Sequence, residues 1–180
     1  KKMYRGQRDE GAKNPSRRRP NRGENLYSFD AGALVMDIVT RGVEAFVHQG
    51  ACPTHAVVID GHGKPTFLVP QCLPDDNVKS CFAGVIAETA DEVHAVAVVF
   101  LAETWVSGDN WDDVTPVSQC ADRREALMAT VEIGAETVVF LWPILRDGTN
   151  VHLGECKQLD AEFTTGRFVG LLRRRDARVN

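Results

Sequence analysis

The sequence has no long apolar run. Its longest unbroken one covers residues 95–102 of 180, whereas a helix that spans a membrane needs about 20 apolar residues. The basic N-terminus is not followed by the hydrophobic segment of a secretory signal peptide. We therefore expect a soluble cytoplasmic protein with no membrane partner.

Cysteine is also sparse. The five cysteines are odd in number and form no CxxC pair, whereas a secreted disulfide scaffold uses an even and denser set, so we expect reduced thiols. Cys52 and His55 could begin a zinc site, but the spacing to the next thiols and imidazoles matches no common zinc module. Those later residues are His62, Cys72 and Cys81. We expect neither a metal nor another cofactor.

Several catalytic signatures are missing as well. The sequence contains neither the HExxH helix of metalloproteases nor the GxSxG turn of α/β-hydrolases. The stretch GHGK at residues 61–64 lacks the spacing of a phosphate-binding loop and is followed by a proline. These absences remove the enzyme classes that carry such motifs. They leave an enzymatic function open without favouring it.

Charge is abundant but unevenly distributed. The whole chain has a formal net charge of −4. Residues 1–25 carry nine Lys/Arg against three Asp/Glu, a net charge of +6, which leaves −10 for residues 26–180. A basic segment of this kind is typical of a solvated tail, of a tail docked onto an acidic surface, or of an arm that binds phosphates. Its closely spaced arginines are Arg17, Arg18, Arg19 and Arg22.

Composition divides the chain into three parts. Residues 1–27 are polar and interrupted by two prolines, so this arm cannot bury enough apolar surface to fold alone. Residues 28–160 are predicted to form a single domain, since 43% of the chain is hydrophobic and that suffices for a core. Residues 161–180 form a second basic segment.

Apolar periodicity predicts the elements of that domain. Two segments have helical spacing; Ser28 or Asp30 is expected to cap the first, which ends at Gly50, and Asp75 or Asp76 is expected to cap the second. Two short apolar runs flank the turn at 61–64, and an almost wholly apolar run over 93–106 predicts a central strand buried on both faces. Alternation of apolar and polar residues over 127–133 predicts a strand with one solvent-exposed face. The order α-β-β-α-β-β-β predicts an α+β fold, an antiparallel sheet of about five or six strands with two main helices packed on one face.

Two resemblances accompany this interpretation. The element order resembles that of roadblock/longin-type and profilin-like domains, and such folds mostly scaffold and bind. The pattern ETW at 103–105, PVS at 116–118 and DRREAL at 122–127 resembles an uncharacterised bacterial protein family. That second resemblance implies a bacterial or phage origin and no function.

The polar segment 107–122 is the strongest candidate for a binding surface on the domain. At about sixteen residues it exceeds the usual length of a connection, and such loops are commonly functional or disordered. Trp111 lies there among three aspartates, and it either packs onto the domain or anchors a partner. The aspartates are Asp109, Asp112 and Asp113.

Glu103 ends a strand that is otherwise apolar, so its carboxylate needs a partner. Arg123, near the start of the next predicted strand, is the expected one, in a structural ion pair that anchors the loop. The functional alternative makes Glu103 and Asp122 an acid and base pair at one end of the sheet.

Three functions follow from these observations. The leading hypothesis is a non-enzymatic interaction or assembly module whose basic arm docks onto a protein partner or a neighbouring subunit. The alternative is a nucleic-acid-associated protein whose arm binds phosphates. The third is a small hydrolase-like enzyme that uses Glu103 or Asp122.

Overall fold

The structure is a computed structural model that describes residues 29–107, 120–160 and 167–172. Two helices and seven strands follow one another in these ranges. They are α1 (Ala31–Gln49), β1 (His55–Ile59), β2 (Pro65–Leu68), α2 (Asp76–Glu92), β3 (Ala97–Val106), β4 (Arg124–Ile133), β5 (Glu136–Asp147), β6 (Asn150–Leu153) and β7 (Lys157–Asp160).

Local signals fix both ends of α1. The Asp30 side chain accepts a hydrogen bond from the Ala33 N–H at 3.0 Å and caps the helix. Gly50 has a left-handed φ of 71° and donates its N–H to the Phe46 carbonyl at 2.7 Å. Glycine adopts that conformation without strain. The predicted end of this helix is confirmed.

One stripe of α1 faces the sheet. Its buried residues recur every three or four positions and are Ala31, Val35, Val39, Gly42 and Phe46. Gly42 lies in mid-helix although glycine is a poor helix former, because the Leu101 side chain of β3 occupies the space that a Cβ would need. The helix therefore approaches the central strand most closely at this glycine.

Asp75 caps α2 by accepting hydrogen bonds from the N–H groups of Asn77 and Val78 at 2.8 and 2.9 Å. The helix buries Phe82, Ala83, Ile86, Ala87 and Ala90. Neither of the two helices in the described ranges is long and apolar enough to cross a membrane.

All seven strands belong to one antiparallel sheet, which confirms the α+β class. The strand order is β2-β1-β3-β4-β5-β6, and β7 also pairs with β5. β3 and β4 pair over their whole length, from Ala97 opposite Ile133 to Val106 opposite Arg124. The sheet has more strands than expected because the chain after β5 forms two short strands, β6 and β7, of four residues each.

The two helices pack on opposite faces of the sheet, so the expectation that both lie on one face is wrong. Alternate residues of a strand point to opposite faces. Val57 and Val99 pack in one cluster with Val39 of α1. Val58 and Phe100, their chain neighbours, pack in a second cluster with α2. The central strands are buried on both sides because each side carries a helix.

β4 is also buried on both faces, so the expectation that one of its faces is exposed to solvent is wrong. Leu127 and Ala129 pack in the cluster that contains α1. Thr130 and Glu132 alternate with them and point to the other face, where they are only 2% and 1% exposed. Residues 167–172 cover that face.

Residues 167–172, which we call the C-terminal segment, lie across the α2 side of the sheet. The Phe168 ring stacks on Phe100 with centroids 4.1 Å apart and meets Phe82 edge-on at 6.2 Å. The N–H groups of Leu171 and Leu172 donate to the two carboxylate oxygens of Glu132 at 2.9 and 2.7 Å. Part of the predicted basic extension therefore belongs to the core.

Candidate functional site

A cavity of about 610 Å³ opens at the end of the sheet where β3 stops. β3 forms its floor, the first turn of α2 forms one side, and the C-terminal segment forms another. We call it the sheet-end pocket. Its lining residues include Asp76, Lys79, Phe100, Trp105, Arg167 and Phe168.

Arg167 organises the polar side of the sheet-end pocket. Its Nη1 donates to the carboxylate Oδ1 of Asp76 at 2.8 Å and to the Asp76 backbone carbonyl at 3.1 Å. The Nζ of Lys79 lies 3.8 Å from the same carboxylate oxygen. The hydrogen bond from Arg167 lowers the pKa of Asp76, so this carboxylate is ionised at neutral pH. Two cations and one anion therefore share this side of the pocket.

The other side of the pocket is aromatic. The stacked rings of Phe100 and Phe168 lie at its base, and Trp105 stands at its rim with 44% of its surface exposed. The guanidinium of Arg123 lies 4.9 Å from the centre of the Trp105 ring, a cation–π distance that holds the indole in place. A positioned and half-exposed tryptophan is typical of an interface anchor.

Glu103 has two partners at the border of the pocket. Its Oε1 accepts a hydrogen bond from the Cys52 N–H at 2.8 Å, and its Oε2 lies 3.8 Å from the Nη2 of Arg146. The Nε of Arg146 donates to Glu125 at 2.6 Å, and this hydrogen bond raises the pKa of Arg146. An arginine of β5 thus bridges a carboxylate of β3 and one of β4.

The thiol beside Glu103 is not suited to covalent catalysis. Burial raises the pKa of Cys52 to about 11, and the negative charge of Glu103 adds to this effect. A nucleophilic cysteine needs a lowered pKa because the thiolate is the reactive form. Cys52 therefore serves as a small buried side chain whose backbone N–H positions Glu103.

A second, smaller cavity of about 340 Å³ lies beside the same tryptophan. Trp105, Glu125 and Arg146 line it together with residues 143–145. Trp105 therefore borders both cavities, and its indole is accessible to a partner that approaches this end of the sheet.

The predicted partner of Glu103 was Arg123, and the pairing of these two residues stays a prediction. The structure places Arg146 in an ion pair with Glu103, and Arg123 lies over Trp105. Sequence reasoning missed Arg146 because its approach depends on the register between β4 and β5, in which Leu127 faces Trp142. Asp122, the other acid–base candidate, is exposed just before β4.

The other predicted site residues lie outside the described residues. They are the loop residues Asp109, Trp111, Asp112 and Asp113 and the arm residues Arg17, Arg18, Arg19 and Arg22. Val106 and Arg124, which flank the loop in sequence, pair with each other at the ends of β3 and β4.

The residues considered as zinc ligands all lie among the described residues. Within the described ranges, no group of three or more His, Cys, Asp or Glu side chains is placed to hold a metal ion. The Nδ1 of His55 lies 2.7 Å from the Pro53 carbonyl. All five cysteines are free thiols.

The C-terminal part of α2 is acidic. Glu88, Asp91 and Glu92 lie there, and the last turn has no basic residue. Negative charge at a helix C-terminus is unfavourable because it meets the negative end of the helix dipole, and like charges four residues apart repel. Val78 and Val85 are exposed on the same stripe of the helix. We call Glu88, Asp91 and Glu92 the acidic end of α2.

Comparison of the chain with protein-family models, with curated proteins and with solved structures finds no match.

Proposed function

We propose that the chain is a non-enzymatic interaction module. In this proposal the basic arm, residues 1–27, docks onto the acidic end of α2 in a neighbouring subunit, and the sheet-end pocket offers a second contact surface around Trp105. The observation that carries the proposal is the separation of charge between the arm, with a net charge of +6 over residues 1–25, and the rest of the chain, at −10.

The acidic end of α2 supports this docking surface. Its three carboxylates do not stabilise the helix, because they lie near the negative end of the helix dipole. A basic segment bound there would offset both the repulsion between Glu88 and Glu92 and the dipole effect. Exposed Val85, one turn earlier, adds apolar surface to the same stripe.

The carboxylates around the pocket also favour binding over acid–base chemistry. Asp76 is hydrogen-bonded to Arg167, and Arg146 lies against both Glu103 and Glu125. A general base works best when its pKa lies near the working pH, whereas the arginine lowers the pKa of Asp76. We place the module in the cytoplasm, since five free thiols suit a reducing compartment.

Sedimentation of the intact chain and of a chain without residues 1–25 tests the proposal. We expect the mass of the intact chain to rise with concentration and the truncated chain to lose most of this association. Raising the salt concentration should weaken the association because exposed charges are screened. Glu88→Gln with Glu92→Gln should weaken it about as much as truncation. The matched control is Glu44→Gln with Glu136→Gln, which removes two exposed charges elsewhere.

Nucleic-acid binding is the alternative, and the four arm arginines favour it. Fluorescence anisotropy with labelled single- and double-stranded oligonucleotides separates the two functions. Phosphate binding would replace the assembly proposal if three results coincide. Oligonucleotide binding would be lost on truncation, it would fall steeply with salt, and the intact chain would show no arm-dependent self-association. Absence of oligonucleotide binding at low salt leaves the assembly proposal in place.

A further inference from the structure

β2 is the strand at one end of the sheet and pairs with β1 on one side. It carries two of the most exposed large apolar residues among those described: Phe67 is 61% exposed, and Val69, just after the strand, is 64% exposed. An exposed apolar edge strand is a ready template for pairing with another strand.

The register of β1 and β2 shows which backbone groups point outward. The Asp60 N–H donates to the Lys64 carbonyl at 3.2 Å, and hydrogen-bonded and non-hydrogen-bonded pairs alternate along an antiparallel ladder. Val58 opposite Thr66 is then a hydrogen-bonded pair, and Val57 opposite Phe67 is not. The N–H and C=O of Phe67 therefore point away from β1, towards the open edge.

The prolines limit what this edge can accept. The backbone of Pro65, like that of Phe67, points away from β1. The β1–β2 ladder therefore loses no hydrogen bond at this proline. The outer edge, however, lacks an N–H donor at residue 65. Pro70 follows Val69. The stretch of β2 that can pair with another strand is therefore short. Its outward-pointing N–H donors are those of Phe67 and, if the backbone stays extended past Leu68, of Val69.

We infer that two copies of the chain pair through their β2 strands, antiparallel and centred on Leu68. Phe67 of each copy then faces Val69 of the other, which gives four hydrogen bonds and two apolar side-chain pairs on one face of the joined sheet. The arrangement is self-complementary and uses the edge of both copies, so it closes as a two-fold dimer.

Charge at the two ends of the strand also favours a second copy as the partner. Lys64 precedes β2, and Asp75 follows it after the connection to α2. An antiparallel pair centred on Leu68 places Lys64 of one copy opposite residue 72 of the other, three residues before Asp75, the N-cap of the partner's α2. The surface area buried by this pairing is small compared with that of most protein interfaces. We therefore expect a weak dimer that forms at high protein concentration.

The pairing uses a different surface from the acidic end of α2, so each proposal can fail without the other. A competing occupant of the edge is the arm of the same chain, because Phe29 packs over Gly63 in the turn that leads into β2. The test below distinguishes the arm from a second copy.

Disulfide trapping tests the register. Leu68→Cys should give a covalent dimer on mild oxidation, because the two copies of residue 68 would be a non-hydrogen-bonded pair about 4.5 Å apart, within the range of a disulfide. Thr66→Cys is the matched control, since its two copies would lie about 13 Å apart. The background chain carries Cys72→Ser, Cys81→Ser, Cys120→Ser and Cys156→Ser and keeps the buried Cys52.

A second measurement does not depend on cross-linking. In a chain that carries Glu88→Gln and Glu92→Gln, and so lacks the proposed arm docking, Phe67→Lys should weaken the remaining concentration-dependent dimer roughly tenfold in sedimentation, through lost apolar contact and like-charge repulsion. Met36→Lys, at a 45% exposed position on α1, should leave this dimer unchanged. Both positions are exposed, so neither change removes a core side chain.

Cross-linking at residue 68 but not at 66, together with the Phe67→Lys effect, supports the pairing. Equal cross-linking at both positions, or none, overturns it. Cross-linking that appears only after residues 1–28 are removed also overturns it and assigns the edge to the arm.

Discussion

Glu132 is a buried carboxylate with an acceptor role. It is 1% exposed, and both of its oxygens accept backbone N–H groups of the C-terminal segment. A buried carboxylate is costly unless hydrogen bonds compensate it, and here it satisfies two N–H groups that no strand or helix pairs. Thr130, two residues earlier on the same face, contrasts with it: its hydroxyl is buried without a hydrogen-bond partner among the described residues.

Substitutions at these two neighbours should change stability in opposite directions. Glu132→Ala leaves two buried N–H groups without acceptors and should lower the free energy of unfolding by about 3 kcal/mol. Thr130→Val keeps the shape of the side chain, removes the buried hydroxyl and should raise it by about 1 kcal/mol. Urea denaturation followed by circular dichroism measures both. A loss of stability in Thr130→Val would mean that the hydroxyl has a partner.

At the scale of elements, the C-terminal segment acts as a cover for the α2 side of the sheet. Phe168 packs between Phe100 of β3 and Phe82 of α2. Arg167 adds a hydrogen-bonded ion pair with Asp76. The segment has no regular secondary structure, so its position depends on these side-chain contacts and on Glu132.

The contribution of this cover can be measured with one pair of variants. Phe168→Ala removes a stacked and partly buried ring and should lower the free energy of unfolding by about 2 kcal/mol. Phe67→Ala is the matched control, since the same ring is lost from a 61% exposed position, and its effect should stay within about 0.5 kcal/mol. Similar losses in the two variants, in thermal or urea unfolding, would contradict the assigned role of Phe168.

The elements could be predicted from the sequence, because caps and periodicity are local. Asp30, Gly50 and Asp75 mark helix ends where the structure has them. The placement of the helices was mispredicted although a signal existed: an apolar run such as residues 97–102 needs a cover on each face. Phe168 and Arg146 could not be predicted, because each meets its partner through a register or a chain reversal that no local pattern encodes.

At the scale of the whole molecule, Cys52 lies where three elements meet. It follows α1, precedes β1, and its N–H binds Glu103 at the end of β3. The thiol belongs to the core cluster between α1 and the sheet. Separation of that helix from the sheet would expose it, so its reactivity reports opening of the α1 side of the sheet.

Thiol labelling at pH 8 should make this visible. With its pKa raised to about 11, Cys52 should react with iodoacetamide roughly a hundredfold more slowly than the exposed Cys72 and Cys81. Cys52 is expected to be the slowest of the three because a raised thiol pKa leaves less of the reactive thiolate at a given pH. Peptide mass spectrometry gives each rate, and in denaturant the three rates should converge. Equal rates in the native protein would contradict the buried position of Cys52.

The cover over Glu132 also bears on the order in which the protein is completed during synthesis. Residues 167–172 follow all seven strands in the chain, so β4 leaves the ribosome well before the two N–H groups that its carboxylate binds. Until they arrive, that carboxylate needs water, and the part of the α2 side of the sheet that Phe168, Leu171 and Leu172 cover stays exposed. A nascent chain paused before residue 167 should therefore be a better client for chaperones than the finished one, although it already contains the seven strands and two helices of the described residues.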